Sequence, residues 1–105
     1  MTPAMLRTLR EMRDAEKQED FEDAQIVCSG IECWLGLRCI SRRTVYGLLR
    51  LMVIKPCWES ATEYFEITGT GRSVLERPEL EHELQTAILV GKPFTITNEH
   101  KIELI

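Results

Sequence analysis

A chain of 105 residues, 44% hydrophobic and 29% charged, has room for one modest core and is too apolar to stay disordered. Its longest apolar run is far below membrane-spanning length, and the opening Met1-Thr2-Pro3-Ala4-Met5-Leu6-Arg7 lacks the apolar stretch of an export signal, so no membrane partner and a cytoplasmic location are expected. The net charge of −4 has the wrong sign for a protein that simply coats nucleic acid, so the distribution of charge matters more than its sum.

Thr2-Pro3 predicts a helix start, with threonine as cap and proline at the first helical position. Met5, Leu9 and Met12, with Leu6 beside them, give that helix an apolar stripe running to about Lys17. Residues 16–23 are mostly charged, have only Phe21 as an anchor and read as a connecting turn. Asp20 or Asp23 then caps an expected second helix, with Ala24, Val27, Cys28, Ile31 and Leu35 buried, Trp34 adjacent and Gly36 as terminator. After the short link Leu37-Arg38-Cys39-Ile40, Ser41 caps a third helix. Val45, Leu48, Leu49 and Met52 fall at i, i+3, i+4 and i+7 on its buried face. The opposite face carries Arg43, Gly47 and Arg50, with Tyr46 at its edge. Two short helices joined by a tight link fit a helix-turn-helix.

Charge sharpens the pattern. Residues 1–37 hold four basic and eight acidic side chains, and residues 59–105 hold four and nine. Between them, residues 38–58 carry Arg38, Arg42, Arg43, Arg50 and Lys55 and no acid. The basic segment coincides with the third helix.

That helix ends near Val53-Ile54-Lys55-Pro56, because proline disfavours helical geometry in the residue before it. Cys57-Trp58-Glu59 and residues 63–68 read as strands of a small hairpin joined through Ser60-Ala61-Thr62. A short helix follows over residues 69–76, capped by Thr68 or Thr70. In this order, Ser41, Thr44, Val45, Leu48, Leu49 and Ile54, then Tyr64, Phe65, Ile67, Thr68, Gly71 and Arg72, the sequence resembles a winged helix-turn-helix domain of bacterial and phage transcriptional regulators over about residues 4–77. The resemblance implies an α+β fold of three helices plus a β-hairpin wing, placed at residues 1–78, with a C-terminal helix and/or hairpin extension at residues 79–105. It also implies that residues 41–53 enter a DNA major groove while Trp58 to Glu63 form the wing beside the phosphates. The acidic wing residues Glu59 and Glu63 depart from the family, whose DNA-binding members often carry cations there, and Gly47 weakens a helix by roughly 1 kcal/mol relative to alanine.

In the last third, Pro78 opens a helix with Leu80, Leu84, Ala87 and Ile88 on one face, ending at Gly91, although residues 86–90 also fit a strand. Residues 93–97 and 101–105 alternate apolar and polar around Asn98-Glu99-His100 and read as a second hairpin. Its apolar face either covers the main domain or pairs with another copy, and a homodimer is the favoured expectation.

The spacing of Cys28, Cys33, Cys39 and Cys57 matches no zinc pattern, so reduced core thiols are expected, with an iron–sulfur cluster as the alternative. His82 lies between Glu81 and Glu83 in sequence but not on one helical face, His100 falls in a turn, and neither Ser29-Gly30 nor Gly69-Thr70-Gly71 has the surroundings of a nucleophile or phosphate motif. No catalytic residue, metal ligand or cofactor is therefore assigned. The expected function is sequence-specific binding of double-stranded DNA, with Arg43 and Arg50 reading bases or phosphates and Thr44 and Tyr46 touching phosphate or a thymine methyl. Gly47 allows close approach there, while Arg38, Arg42 and Lys55 steer and position. The alternative is a winged-helix interaction module that binds a host protein.

Overall fold

The computed structural model describes residues 1–20, 22–57 and 62–105. It is an α+β arrangement: α1 (Pro3–Lys17), β1 (Ile26–Ser29), β2 (Glu32–Leu35), β3 (Arg38–Ile40), α2 (Arg42–Arg50), β4 (Ile54–Pro56), β5 (Glu63–Ile67), α3 (Gly69–Glu76), α4 (Leu80–Val90), β6 (Phe94–Ile96) and β7 (Ile102–Leu104). The first five strands form one antiparallel sheet in the order β3-β2-β1-β5-β4, and β6 pairs with β7. Among the described residues, no helix is long and apolar enough to cross a membrane.

Three helix starts follow their caps. The hydroxyls of Thr2, Ser41 and Thr68 each accept the N–H three residues on, from Met5, Thr44 and Gly71, at 3.2, 3.2 and 3.0 Å. α1 buries Met5, Leu9 and Met12, the expected stripe, and adds Thr8 and Ala15. α2 is shorter than expected, and its buried side is Thr44, Val45 and Leu48. Leu49 is half-buried, and Met52 sits past the helix end at a φ of 60°, 51% exposed rather than in the core.

The expected second helix is corrected: that region forms β1 and β2, and β3 leads directly into α2. Ile26 and Cys28 point inward, as do Cys33 and Leu35, so the burial period within each strand is two. The turns explain the outcome. Ser29 pairs with Glu32 and Leu35 with Arg38, leaving Gly30-Ile31 and Gly36-Leu37 as two-residue loops. Both glycines have a φ of 60°, the left-handed geometry that a glycine-first hairpin turn needs and other residues resist. Gly36 ends no helix; it folds β2 onto β3.

One core joins all layers. Leu9 and Met12 from α1 meet Val45 and Leu48 from α2, Ile26, Cys33 and Ile67 from the sheet, and Val74 from α3. Leu80 and Leu84 of α4 belong to the same cluster, and Phe94 and Ile102 of the terminal hairpin pack on it half-buried. The run 86–90 is therefore helical, with Leu84 and Ala87 inward and Leu89 90% exposed. His100, in the hairpin turn, bonds through Nδ1 to Ser73 Oγ at 2.9 Å and ties the hairpin to α3.

Cys28 and Cys33 face each other across the β1–β2 register and are joined as a disulfide, which corrects the expectation of reduced thiols for this pair; Cys39 and Cys57 are free. Trp58 and Glu59 of the expected strand Cys57-Trp58-Glu59, the link through Ser60 and Ala61, most of the wing and the Phe21 anchor lie outside the described residues. Close to them, Cys57 N–H donates to the Tyr64 carbonyl at 2.7 Å and extends the β4–β5 pairing.

Candidate nucleic-acid interface

α2 owes its position to its rear and its ends. Val45 and Leu48 are at most 1% exposed, which roots the helix in the core. Gly47 lies against α1: a Cβ there would come within 3.0 Å of Met5 Cε and 3.1 Å of Met5 Sδ. The close approach that this glycine permits is thus made by α1, and Gly47 does not belong to an open front face. Ser41 Oγ and Thr44 Oγ1 lie 2.9 Å apart, and Thr44 is 8% exposed, so its side chain serves the cap and is turned away from an incoming ligand.

The cations divide into two groups. Arg38 is spent on the fold. Its Nη2 donates to Glu11 Oε2 at 2.6 Å and to Thr8 Oγ1 at 3.2 Å, and its Nε reaches the same carboxylate at 3.2 Å. That clamp fastens β3 to α1 and satisfies a threonine with no exposed surface. Burial pushes the Glu11 carboxyl up, but its hydrogen bonds to Arg38 and Arg7, and the charges behind them, outweigh this and hold it below its ordinary value. Lys55 pairs with Glu66 across the β4–β5 ladder at 3.4 Å, both side chains well exposed. Arg42 donates to the Gly30 carbonyl and, at 3.3 Å, to Tyr46 Oη. It braces α2 against the β1–β2 turn.

The second group faces solvent. Arg43, Tyr46 and Arg50 lie at i, i+3 and i+7 on the exposed side of α2, with Tyr46 55% exposed. Among the described residues, neither Arg43 nor Arg50 forms a hydrogen bond or ion pair, whereas Arg7, Arg13, Arg72 and Arg77 each hold a carboxylate. With 1.5 Å of rise per residue, the two guanidinium groups are rooted about 10 Å apart along the axis, against a major groove about 12 Å wide.

Of the eight residues expected at the interface, Arg43, Tyr46 and Arg50 share one open stripe and Arg42 flanks it. Arg38, Thr44 and Gly47 are engaged inside the fold, and Lys55 stands on the sheet. Sequence reasoning missed the Glu11 carboxylate that takes Arg38 and the Gly30 carbonyl that takes Arg42. The glycine-first turns at Gly30 and Gly36 were the available signal, since they bring β3 beside α1.

Other chemistry is sparse. Among the described residues, no three His, Cys, Asp or Glu side chains come together as metal ligands. Ser73, the partner of His100, is 5% exposed and sits within α3, where the pair anchors the terminal hairpin. No family model matches the chain, and no curated protein or solved structure matches it either.

Proposed function

We propose that this protein is a sequence-specific DNA-binding transcriptional regulator that lays α2 in the major groove. The β4–β5 hairpin acts as a wing, in a winged helix-turn-helix plan where the β1–β3 meander stands in place of the second helix. One observation carries the reading: two solvent-facing arginines, which hold no carboxylate among the described residues, flank a tyrosine on a helix whose rear is fixed in the core. Arginine can grip guanine through two hydrogen bonds, and the tyrosine hydroxyl can reach a phosphate. Arg42, braced by Gly30, sets the orientation of the stripe.

The test begins with selection of bound duplexes from a random pool, followed by titration of the selected site at several salt concentrations. Arg43→Ala is expected to weaken the selected site by about 1–3 kcal/mol and relax preference at one base position. Wild-type affinity should fall with salt, with a slope of about −2 for each copy bound. Failure to retain any duplex at low salt overturns the proposal.

A second reading, an interaction module for another protein, has its own support. The outward row Trp34–Val27–Tyr64 crosses three neighbouring strands, with Trp34 39% exposed. A partly exposed row of this kind, with two aromatic rings, suits a protein surface. Capture of one host protein from lysate, lost in Trp34→Ala but kept in Arg43→Ala, would favour it over DNA.

A further inference from the structure

An open groove of about 820 Å³ runs between the end of α2, β4, the start of α3, the last turns of α4 and β6. Leu49, Ile54, Ala87, Ile88, Phe94 and Ile96 give it apolar walls. Its volume falls within the range of small-molecule sites, and such sites combine apolar walls with a few polar groups that fix orientation. Among the described residues, the charged ones lining it are both lysines, Lys55 and Lys92. In a chain with 17 acidic and 13 basic side chains, a groove whose charged lining residues, among those described, are two lysines is a selective feature.

We propose that this groove binds a small apolar carboxylate, with the hydrocarbon body on the walls and the anionic end at the lysine rim. The polar partners are in place. Lys92 follows Gly91 in the exposed link after α4 and, among the described residues, holds no carboxylate. The Lys55–Glu66 pair, at 3.4 Å with the two side chains 59% and 39% exposed, is of the weak surface kind that a ligand carboxylate can displace. Thr70 and Thr95 add hydroxyls, whereas that of Thr68 is committed to the Met52 carbonyl and the Gly71 N–H. A hydrophilic anion would leave the walls wet, and an apolar cation would meet the lysines, so both halves of the ligand are specified. Because Leu49 and Met52 also line the groove, the ligand would touch the last turn of α2 and its exit. Occupancy does not require that α2 bind DNA.

The probe is octanoate, titrated into the full chain while backbone amide resonances are followed, with acetate and octylammonium in parallel. Saturable shifts are expected at Leu49, Ile88, Phe94 and Ile96 with octanoate. Acetate and octylammonium should bind at least about tenfold more weakly, since each lacks one half of the complementarity. Lys92→Glu, in an exposed link, should keep the wild-type melting temperature and lose about tenfold in octanoate affinity. Octylammonium binding as well as octanoate would overturn the proposal, as would octanoate shifts confined to other surfaces. So would a groove already filled by a second copy, revealed by concentration-dependent shifts at the same amides without any ligand.

Discussion

Gly71→Ala probes the junction that sets where α2 ends and α3 begins. A Cβ at Gly71 would lie 2.4 Å from the Val53 carbonyl oxygen and 2.9 Å from Ile67 Cγ1. The first neighbour is backbone and cannot swing aside. That carbonyl also accepts the Thr68 N–H at 3.0 Å, while the Thr68 hydroxyl donates to the Met52 carbonyl at 2.8 Å and accepts the Gly71 N–H at 3.0 Å. Moving α3 away strains a knot of three hydrogen bonds, each worth about 0.5–1.5 kcal/mol net. Overpacking a filled site costs about 1–3 kcal/mol, and the gain of alanine over glycine in a helix returns at most about 1 kcal/mol. The net expectation is a loss of about 2 kcal/mol, or roughly 10 °C in melting temperature for a domain near this size. Urea denaturation followed by tryptophan fluorescence reads the change directly. Gly47→Ala is the control: its Cβ would meet only the flexible end of Met5, at 3.0 and 3.1 Å, and helix propensity offsets the crowding, so it should stay within about 0.5 kcal/mol of wild type. A Gly71→Ala protein as stable as wild type, or a Gly47→Ala protein that loses more, refutes the packing argument.

Two further expectations follow from the clamp and the cysteines. The folded-state pKa of Glu11 lies below its ordinary value of 4.5, so its bond to Arg38 contributes stability above that value and loses it as pH falls through the folded pKa. Glu11→Gln should therefore narrow the stability gap between neutral and acid urea melts, and an unchanged gap would remove the clamp from the acid response. Thiol titration of the unreduced native protein should find Cys39 readily reactive and Cys57 slower, with Cys28 and Cys33 reacting only after reduction; four titratable thiols without a reductant would contradict the cross-strand bond.

Much of the α-helical frame was legible because capping is local chemistry. Thr2, Ser41 and Thr68 each announce a helix through one side-chain oxygen and one N–H, with no need of the rest of the molecule. The terminal hairpin was legible for a similar reason, since alternation around a polar turn is also local. Residues 24–36 misled because two periods coexist there. Ala24, Val27, Cys28, Ile31 and Leu35 fit one helical face, while Ile26, Cys28, Cys33 and Leu35 fit inward strand positions. Short apolar runs cannot separate the two, and the glycines decide: Gly30 and Gly36, six residues apart, are punctuation for hairpins. The site was half legible. Exposure of Arg43 and Arg50 follows from helical geometry alone, but the capture of Arg38 by Glu11 is a contact between residues 27 apart in sequence, which local patterns do not encode.

The same contacts that fix α2 also limit what it can grip. With Arg38 held by α1, Lys55 on the sheet and Arg42 bracing a turn, the open stripe offers two guanidinium groups without a partner among the described residues. On the DNA-binding proposal, two phosphate neutralisations would give a salt slope of only about −2, against about −4 for two copies engaged on adjacent half-sites. A net charge of −4 makes the single copy weaker still by general repulsion. High-affinity binding at moderate salt therefore demands a second copy, because the wing sequence from Trp58 to Glu63 holds two acids and no Lys or Arg. Stoichiometry tests this: a slope near about −4 with two chains on a palindromic site is expected, and the same slope with one chain per duplex would refute the count of two arginines per copy. The tail has the surface for a dimer, with Leu89 90%, Leu104 58% and Ile105 84% exposed beside a hairpin already anchored by His100. Leu89→Glu would then halve the slope without touching α2.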